Sequence, residues 1–242
     1  MKKYLIQKDN DKVETQLILE QLSDNYELIL GKDIQPVEFG VIPIGDIDFV
    51  AKALELKQTP IEIPTYLQTD EFLKRIYRIG TWKDIPKTGK WFIKDASTLK
   101  NFSICANMDL WYNPKYFDFQ STTLCLDKES NYVISSPLHI QSEYRVYVVD
   151  LQIVNISHYA GDPTILPDID LIKRATQLIN KNEEYLRSYS LDVAVCEQGT
   201  AILEVHNFSS IGLYSTSFAS DLTTAYEQGI DYLLYDNSIK YK

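Results

Sequence analysis

A hairpin near residue 199 places acidic and polar side chains inside otherwise apolar strands. Two strand-like runs flank the turn at Gly199, and side chains alternate along each of them. Glu204 and His206 therefore share one face, and the turn brings Asp192 opposite them. A buried carboxylate without a partner is costly, and a divalent cation such as Mg²⁺ offsets that cost. An exposed edge hairpin with solvated side chains is the alternative. The candidate metal ligands are Asp192, Glu204, His206 and Asn207.

Basic side chains on two other strands are candidates for contacts with anionic groups. Lys94 follows the aromatic and aliphatic run 91–93, and Lys100 comes six residues later. Lysine binds phosphate as a point charge, whereas a guanidinium clamps phosphate or carboxylate with two parallel hydrogen bonds. Arg145 lies on a predicted strand and shares a face with Glu143. The alternatives are solvated lysines at a strand end and a surface ion pair between Arg145 and Glu143.

The elements that must hold these residues fall into two parts. Residues 1–85 begin with strand and helix patterns in the order βαββα, and a further helical pattern follows over 70–79. They predict a small α/β unit with a partly parallel sheet. Residues 86–242 show mainly strand patterns, with helices over 170–186 and 221–234. We therefore expect an α+β fold, in which the α/β unit precedes antiparallel sheets and helices.

Composition excludes several classes of protein. The 242 residues carry a formal net charge of −10 without a basic cluster, so nucleic acid is not an expected partner. No apolar run approaches the roughly 20 residues that span a bilayer, and the amino terminus lacks the pattern of a signal peptide. We therefore expect a cytoplasmic protein outside the membrane, with its three cysteines reduced and buried.

These motifs, in this order, resemble the ATP-grasp superfamily, and most of all its short stand-alone domains of bacteria and phages. The resemblance rests on two strings, SEYRVYVVDLQIVNISHYAGD over 142–162 and LDVAVCEQGTAILEVHNFSSIGLY over 191–214. They are similar to the family's S-E-x-R-x-F-V strand, its Y-x-G-D strand end, its E-V-N-D strand and its S-x-G-L-Y segment. Upstream, FIK at 92–94 and PIGDIDFV at 43–50 also look like family motifs.

The resemblance implies a site for ATP and Mg²⁺, with Mn²⁺ as an alternative metal. Lysines would contact the phosphates, Arg145 would steady the γ-phosphate or an acyl-phosphate, and the segment 133–138 would form the hinge against adenine. The implied catalytic residues are Arg145 and Lys94. The implied nucleotide-binding residues are Lys94, Lys100, Ser135, Leu138, Glu143 and Arg145. The implied metal ligands are Asp192, Glu204, His206 and Asn207.

Two positions depart from the family pattern. His206 replaces the usual Asn, and imidazole is a poorer ligand for Mg²⁺ than an amide oxygen and favours softer metals. Asn207, in place of the usual Asp, would take over as ligand if the strand bulges. Asp95 replaces the usual Pro after the phosphate lysine, which puts a negative charge near the phosphates. These departures keep open a weakened, metal-shifted or inactive domain.

The activity that the resemblance implies is that of an ATP-dependent carboxylate–amine ligase. Such an enzyme forms an amide through an acyl-phosphate and releases ADP and phosphate. Its substrates would be a small-molecule or peptide carboxylate and an amine, neither of which the sequence identifies. The alternatives are a non-catalytic ATP-binding module, an ATP-grasp kinase acting on a hydroxyl, and a His/Cys hydrolase that needs no ATP. A homodimer is the expected assembly.

Overall fold

The amino-terminal part is a parallel sheet covered by helices. The computed structural model describes residues 3–10, 13–22, 26–38, 40–56, 63–96, 103–111 and 130–240. Three strands form the first sheet in the order β2-β1-β3: β1 (Lys3–Gln7), β2 (Tyr26–Ile29) and β3 (Val41–Ile44). Both pairings are parallel, because a helix or a crossover separates the strands along the chain. The helices are α1 (Val13–Gln21) and α2 (Ile47–Ala53).

Helix α2 begins at a side-chain cap. The Asp46 carboxylate accepts a hydrogen bond of 2.8 Å from the backbone amide of Phe49. This bond satisfies one of the amides that a helix leaves unpaired in its first turn. Buried residues of this helix and of β1 belong to one core together with helix residues from the far end of the chain, Leu222 to Leu233. The small α/β unit therefore packs directly onto the carboxyl-terminal part.

The second sheet is antiparallel, with the order β4-β7-β5-β6. Its strands are β4 (Tyr77–Thr81), β5 (Lys90–Asp95), β6 (Ser103–Asn107) and β7 (Asn131–Ser135), and α3 (Asp70–Leu73) and α4 (Met108–Trp111) flank them. The predicted helix over 70–79 is wrong beyond Leu73, because Lys74 adopts a left-handed conformation with φ 51° and ends the helix. The residues that follow enter the sheet, and the domain boundary at 85/86 stays a prediction.

The third sheet is also antiparallel, with the order β11-β10-β8-β9. Its strands are β8 (Ile140–Val149), β9 (Gln152–Gly161), β10 (Tyr189–Cys196) and β11 (Gly199–Asn207). Asp150 and Leu151 both have positive φ, 48° and 67°, which suits the tight turn between β8 and β9. Two helices complete the chain, α5 (Ile169–Asn182) and α6 (Leu222–Lys240).

The third sheet has one apolar face and one polar face. The apolar face packs on α5, whose buried side chains recur at helical spacing: Leu171, Ile172, Ala175, Thr176 and Ile179. The polar face carries candidate site residues that the sequence predicts, such as Arg145, Asp192 and Glu204, and it faces the second sheet. The α+β fold expected from the sequence is confirmed. Lys100 lies outside the described residues.

Candidate functional site

A cavity of about 390 Å³ lies between the two antiparallel sheets. Apolar side chains from both sheets form much of its wall, including Phe92, Val133 and Leu203. A few charged groups converge on the same space, among them Lys94 and Glu204. A mainly apolar cleft with a small number of placed polar groups is the usual form of a site for a small molecule.

The segment between β7 and β8 forms one side of this cavity. The Ser136 amide donates to the carbonyl of Ile76 at 3.0 Å, and the Ile76 amide donates to the Ser136 hydroxyl at 3.1 Å. These two bonds tie the segment to the start of β4. Ser135 and Leu138, the predicted hinge residues, both line the cavity. Their contact with a nucleotide stays a prediction.

The hairpin of β10 and β11 brings its polar side chains to one place. Asp192 pairs with Glu204 across the two strands. One oxygen or nitrogen atom from each of Asp192, Glu204 and His206 lies within 4.8 Å of the others. His206 Nε2 is 2.5 Å from a Glu204 oxygen, and the Lys94 ammonium forms an ion pair with the other Glu204 oxygen. Two carboxylates and an imidazole at this spacing fit a divalent metal ion.

A β-bulge in β11 shapes the floor of the cavity. Val193 pairs with Ile202 and Asp192 pairs with Glu204, so Leu203 is an extra residue without a partner. A bulge interrupts the strict alternation of side chains along a strand. Leu203 and Glu204 consequently both line the cavity although they are neighbours in sequence. An apolar surface thus lies directly beside the charged cluster.

Arg145 is held in a fork against Asp192. Its Nε and Nη2 each donate to a different Asp192 oxygen at 2.7 Å, and Nη1 donates to the Gly212 carbonyl at 3.0 Å. The guanidinium also lies 5.8 Å and 5.1 Å from the ring centres of Tyr159 and Tyr214. Burial acts to lower the pKa of Arg145, but the hydrogen bonds and charge of Asp192 outweigh it and raise the pKa. The side chain therefore stays a fixed cation.

Glu143 and Asn207 occupy different places relative to the cavity. Glu143 lines it and accepts a hydrogen bond of 2.9 Å from the Tyr159 hydroxyl. Burial, together with the charges of Asp192 and Glu143, raises the pKa of Tyr159, which keeps this hydroxyl protonated. Asn207 accepts a hydrogen bond of 3.2 Å from the Ser209 amide with its side-chain oxygen. The role of Asn207 as a metal ligand stays a prediction.

Arg75 is a residue of the cavity wall that the sequence patterns did not single out. Its Nη1 donates to the carbonyls of Ile202 at 2.7 Å and Leu73 at 3.1 Å, and its guanidinium lies 5.6 Å from the Tyr77 ring centre. Burial lowers the pKa of this guanidinium. No carboxylate in the described parts of the chain forms an ion pair with it. Arg75 therefore offers further N–H donors to a ligand.

Cys105 also lines the cavity and is exposed, so the expectation that all three cysteines are buried is wrong for this one. Cys196 is buried as expected, both of these thiols are free, and Cys125 lies outside the described residues. Cys105 reaches the cavity because it pairs with Phe92 across β5 and β6.

Among the described residues, no helix is both long and apolar enough to cross a membrane.

This chain, with two antiparallel sheets around a cavity, is similar in fold to solved structures of the ATP-grasp class. The RimK domain ATP-grasp protein of Sphaerobacter thermophilus is 14% identical, with a TM-score of 0.55 over 97% of this chain and 98% of that one. The D-alanine–D-alanine ligase of Bacillus anthracis, solved with ATP, is 12% identical, with a TM-score of 0.53 over 100% of both chains. At these identities the similarity concerns the fold alone.

The family follows from the sequence match. The ATP-grasp domain of R2K clade family 2 matches residues 72–222. This range is more than half of the chain, so the protein belongs to that family. The resemblance read from the two sequence strings is thereby confirmed. No curated protein matches the sequence significantly.

Proposed function

We propose that this chain is an ATP-dependent ligase that joins a carboxylate to an amine through an acyl-phosphate. One observation carries the proposal: the cavity between the two sheets places Lys94 against the cluster of Asp192, Glu204 and His206. A cation beside a set of metal ligands suits a triphosphate with its divalent ion. Membership of the ATP-grasp family supports ATP as the nucleotide.

The cations of the site form ion pairs with its carboxylates. Lys94 is paired with Glu204, and Arg145 is paired with Asp192. Phosphate oxygens would take over the hydrogen bonds of both cations and leave the two carboxylates to the metal. The exchange conserves the number of paired charges, because each cation and each carboxylate acquires a new partner. ATP entry thus assembles the site without leaving a buried charge unpaired.

The metal would be held by Asp192, Glu204 and His206, whose donor atoms lie close enough to share one ion. When bound, Mg²⁺ or a similar ion supplies positive charge to the phosphate oxygens. Asn207 is the further candidate ligand that the sequence names. Three side chains leave coordination positions for the oxygens of a nucleotide.

The reaction has two balanced steps. A carboxylate oxygen attacks the γ-phosphorus, the bond to the β-phosphate oxygen breaks, and ADP leaves. The amine then attacks the acyl carbon, phosphate leaves, and the nitrogen gives one proton to a base or to water. Arg145 and Lys94 would neutralise the charge on the transferred group, and the sheets would position the reactants. No covalent nucleophile is required.

The test is ATP turnover with a panel of carboxylates and amines, including a carboxylate labelled with ¹⁸O. A ligase that forms an acyl-phosphate transfers one labelled oxygen to the released phosphate and yields an amide. A stable phosphorylated product without an amide would support the kinase instead. Tight ATP binding without turnover under any condition would support the non-catalytic module, which the departures at Asp95 and His206 motivate.

The contribution of Arg145 can be separated from that of charge alone. Arg145→Lys keeps a cation but loses the fork to the two Asp192 oxygens. We expect a strong loss of turnover with a smaller change in the dissociation constant for ATP. Turnover equal to that of the parent protein would remove Arg145 from the proposed catalytic set.

A further inference from the structure

We infer that His206 makes this site select a divalent first-row transition ion, for which Mn²⁺ is the simplest probe, over Mg²⁺. The inference rests on the proposed function, because it concerns the metal of the same site. It goes further by assigning the choice of metal to one side chain. Three features support it: the placement of the imidazole, the identity of its neighbours and the ligand preferences of the two ions.

The imidazole of His206 lies at the metal cluster itself. Its Nε2 is 2.5 Å from Glu204, and a ligand atom of each lies within 4.8 Å of one from Asp192. The side chain is 13% exposed, so it has little freedom to turn into solvent. It projects from β11 on the same side as Glu204, and β10 supports the strand along its full length. An ion shared by the two carboxylates would therefore meet a nitrogen atom.

An imidazole nitrogen is a poor ligand for Mg²⁺ and an acceptable ligand for Mn²⁺. Mg²⁺ is a hard cation that requires oxygen ligands in near-ideal octahedral geometry and gives up its water reluctantly. First-row transition ions accept imidazole, and their affinity for mixed nitrogen and oxygen sites rises from Mn²⁺ onward along the series. Asp192 and Glu204 still provide the oxygen atoms that Mn²⁺ also accepts. The donor set therefore disfavours Mg²⁺ without excluding a nucleotide.

The first experiment measures competition between the two ions on the full chain. Free Mn²⁺ is followed by its room-temperature EPR signal, with and without the β,γ-imido analogue of ATP, while Mg²⁺ is added. We expect His206→Asn to reduce the preference for Mn²⁺ over Mg²⁺ by ~10-fold or more, the scale on which changes at metal sites alter affinity. His139→Asn is the matched control, because that side chain is 78% exposed and lies outside the cluster. An unchanged preference in His206→Asn would overturn the inference.

The second experiment detects the nitrogen ligand directly. Pulsed EPR of the Mn²⁺ complex, prepared with ¹⁵N-labelled protein and unlabelled nucleotide, should show a coupling to a protein ¹⁵N nucleus. This coupling should vanish in His206→Asn and in His206→Gln and persist in His139→Asn. Thermal melting of each variant without metal checks that the variant is folded. If His206→Asn is not folded, His206→Gln takes its place in the experiment.

The two levels of failure are distinguishable. Nucleotide-dependent binding of Mn²⁺ without a coupling to protein nitrogen would refute the role of His206 and leave the proposed function intact. No binding of Mn²⁺ in the presence of the ATP analogue would refute the metal site of the proposed function itself. A coupling that persists in both His206 variants would assign the nitrogen ligand to another residue and would also overturn the inference.

Discussion

Lys94→Met should change the binding of the two ligands in opposite directions. The Lys94 ammonium forms an ion pair with Glu204, and these side chains are only 11% and 23% exposed. A metal ion that arrives alone must displace the lysine from the carboxylate. The phosphate oxygens of a triphosphate instead accept hydrogen bonds from the Lys94 ammonium. Methionine keeps an unbranched chain without the charge, so the metal alone should bind more tightly and ATP more weakly.

The magnitude follows from the hydrogen bond that is exchanged. A hydrogen bond to a charged group contributes about 1.5–3 kcal/mol of net free energy, which corresponds to ~10-fold to ~150-fold in a dissociation constant. Both side chains are largely shielded from solvent, so screening does not reduce the interaction to the level of a surface pair. We therefore expect Lys94→Met to lower the dissociation constant for the metal alone by ~10-fold or more and to raise the dissociation constant for ATP by ~10-fold or more.

The assay is isothermal titration calorimetry with Mn²⁺ alone and, separately, with the β,γ-imido analogue of ATP. Lys90→Met is the matched control, because Lys90 lies on the same strand and is exposed. The control should leave both dissociation constants unchanged. If Lys94→Met weakens the binding of Mn²⁺ alone, or leaves the affinity for the ATP analogue unchanged, the proposed exchange of partners is wrong.

Three further predictions concern other parts of the molecule. Glu204→Gln should abolish metal-dependent use of ATP in a turnover assay, whereas Glu197→Gln, at an exposed turn, should not. Gly229→Ala should lower the midpoint of thermal melting, although Gly to Ala usually stabilises a helix, because a Cβ there would lie 2.4 Å from backbone atoms of Phe208. Overpacking of this kind costs about 1–3 kcal/mol, or about 2–12 °C in a chain of this size, and an unchanged or higher midpoint would contradict it. Arg75→Met should raise the dissociation constant for ATP by ~10-fold in calorimetry if its remaining donors contact the nucleotide, and an unchanged constant would place Arg75 outside the site.

Strand alternation predicted part of the charged cluster. Glu204 and His206 lie two residues apart on one strand and therefore share a face, and the turn at Gly199 brings β10 alongside that strand. The register set by that turn, in which Cys196 pairs with Gly199 and Val193 with Ile202, would put Asp192 opposite Leu203, and the bulge shifts the partner of Asp192 to Glu204. The local sequence therefore identified the candidate metal ligands, but the pairing of Asp192 with Glu204 depends on the bulge.

Other features of the site depend on long-range contacts that the local pattern does not encode. The residues after Leu73 fit helical spacing, but Lys74 ends the helix and the following residues gain a sheet partner in β7. The bulge at Leu203 breaks the alternation of side chains along β11, so no sequence pattern predicts that Leu203 lines the cavity. Arg75 is held at the cavity by a hydrogen bond to the backbone carbonyl of Ile202, a residue distant along the chain.

The most direct test of the central claim is thermal melting of the full chain with and without saturating ATP and a divalent ion. A ligand that binds only the folded state at about 100 times its dissociation constant stabilises it by about 2.7 kcal/mol, or about 5–11 °C for a chain of this size. We predict a rise of this order with ATP and Mn²⁺ together, and its loss in Glu204→Gln. No rise at millimolar ATP with either Mg²⁺ or Mn²⁺ would contradict the assignment of the cavity as an ATP site.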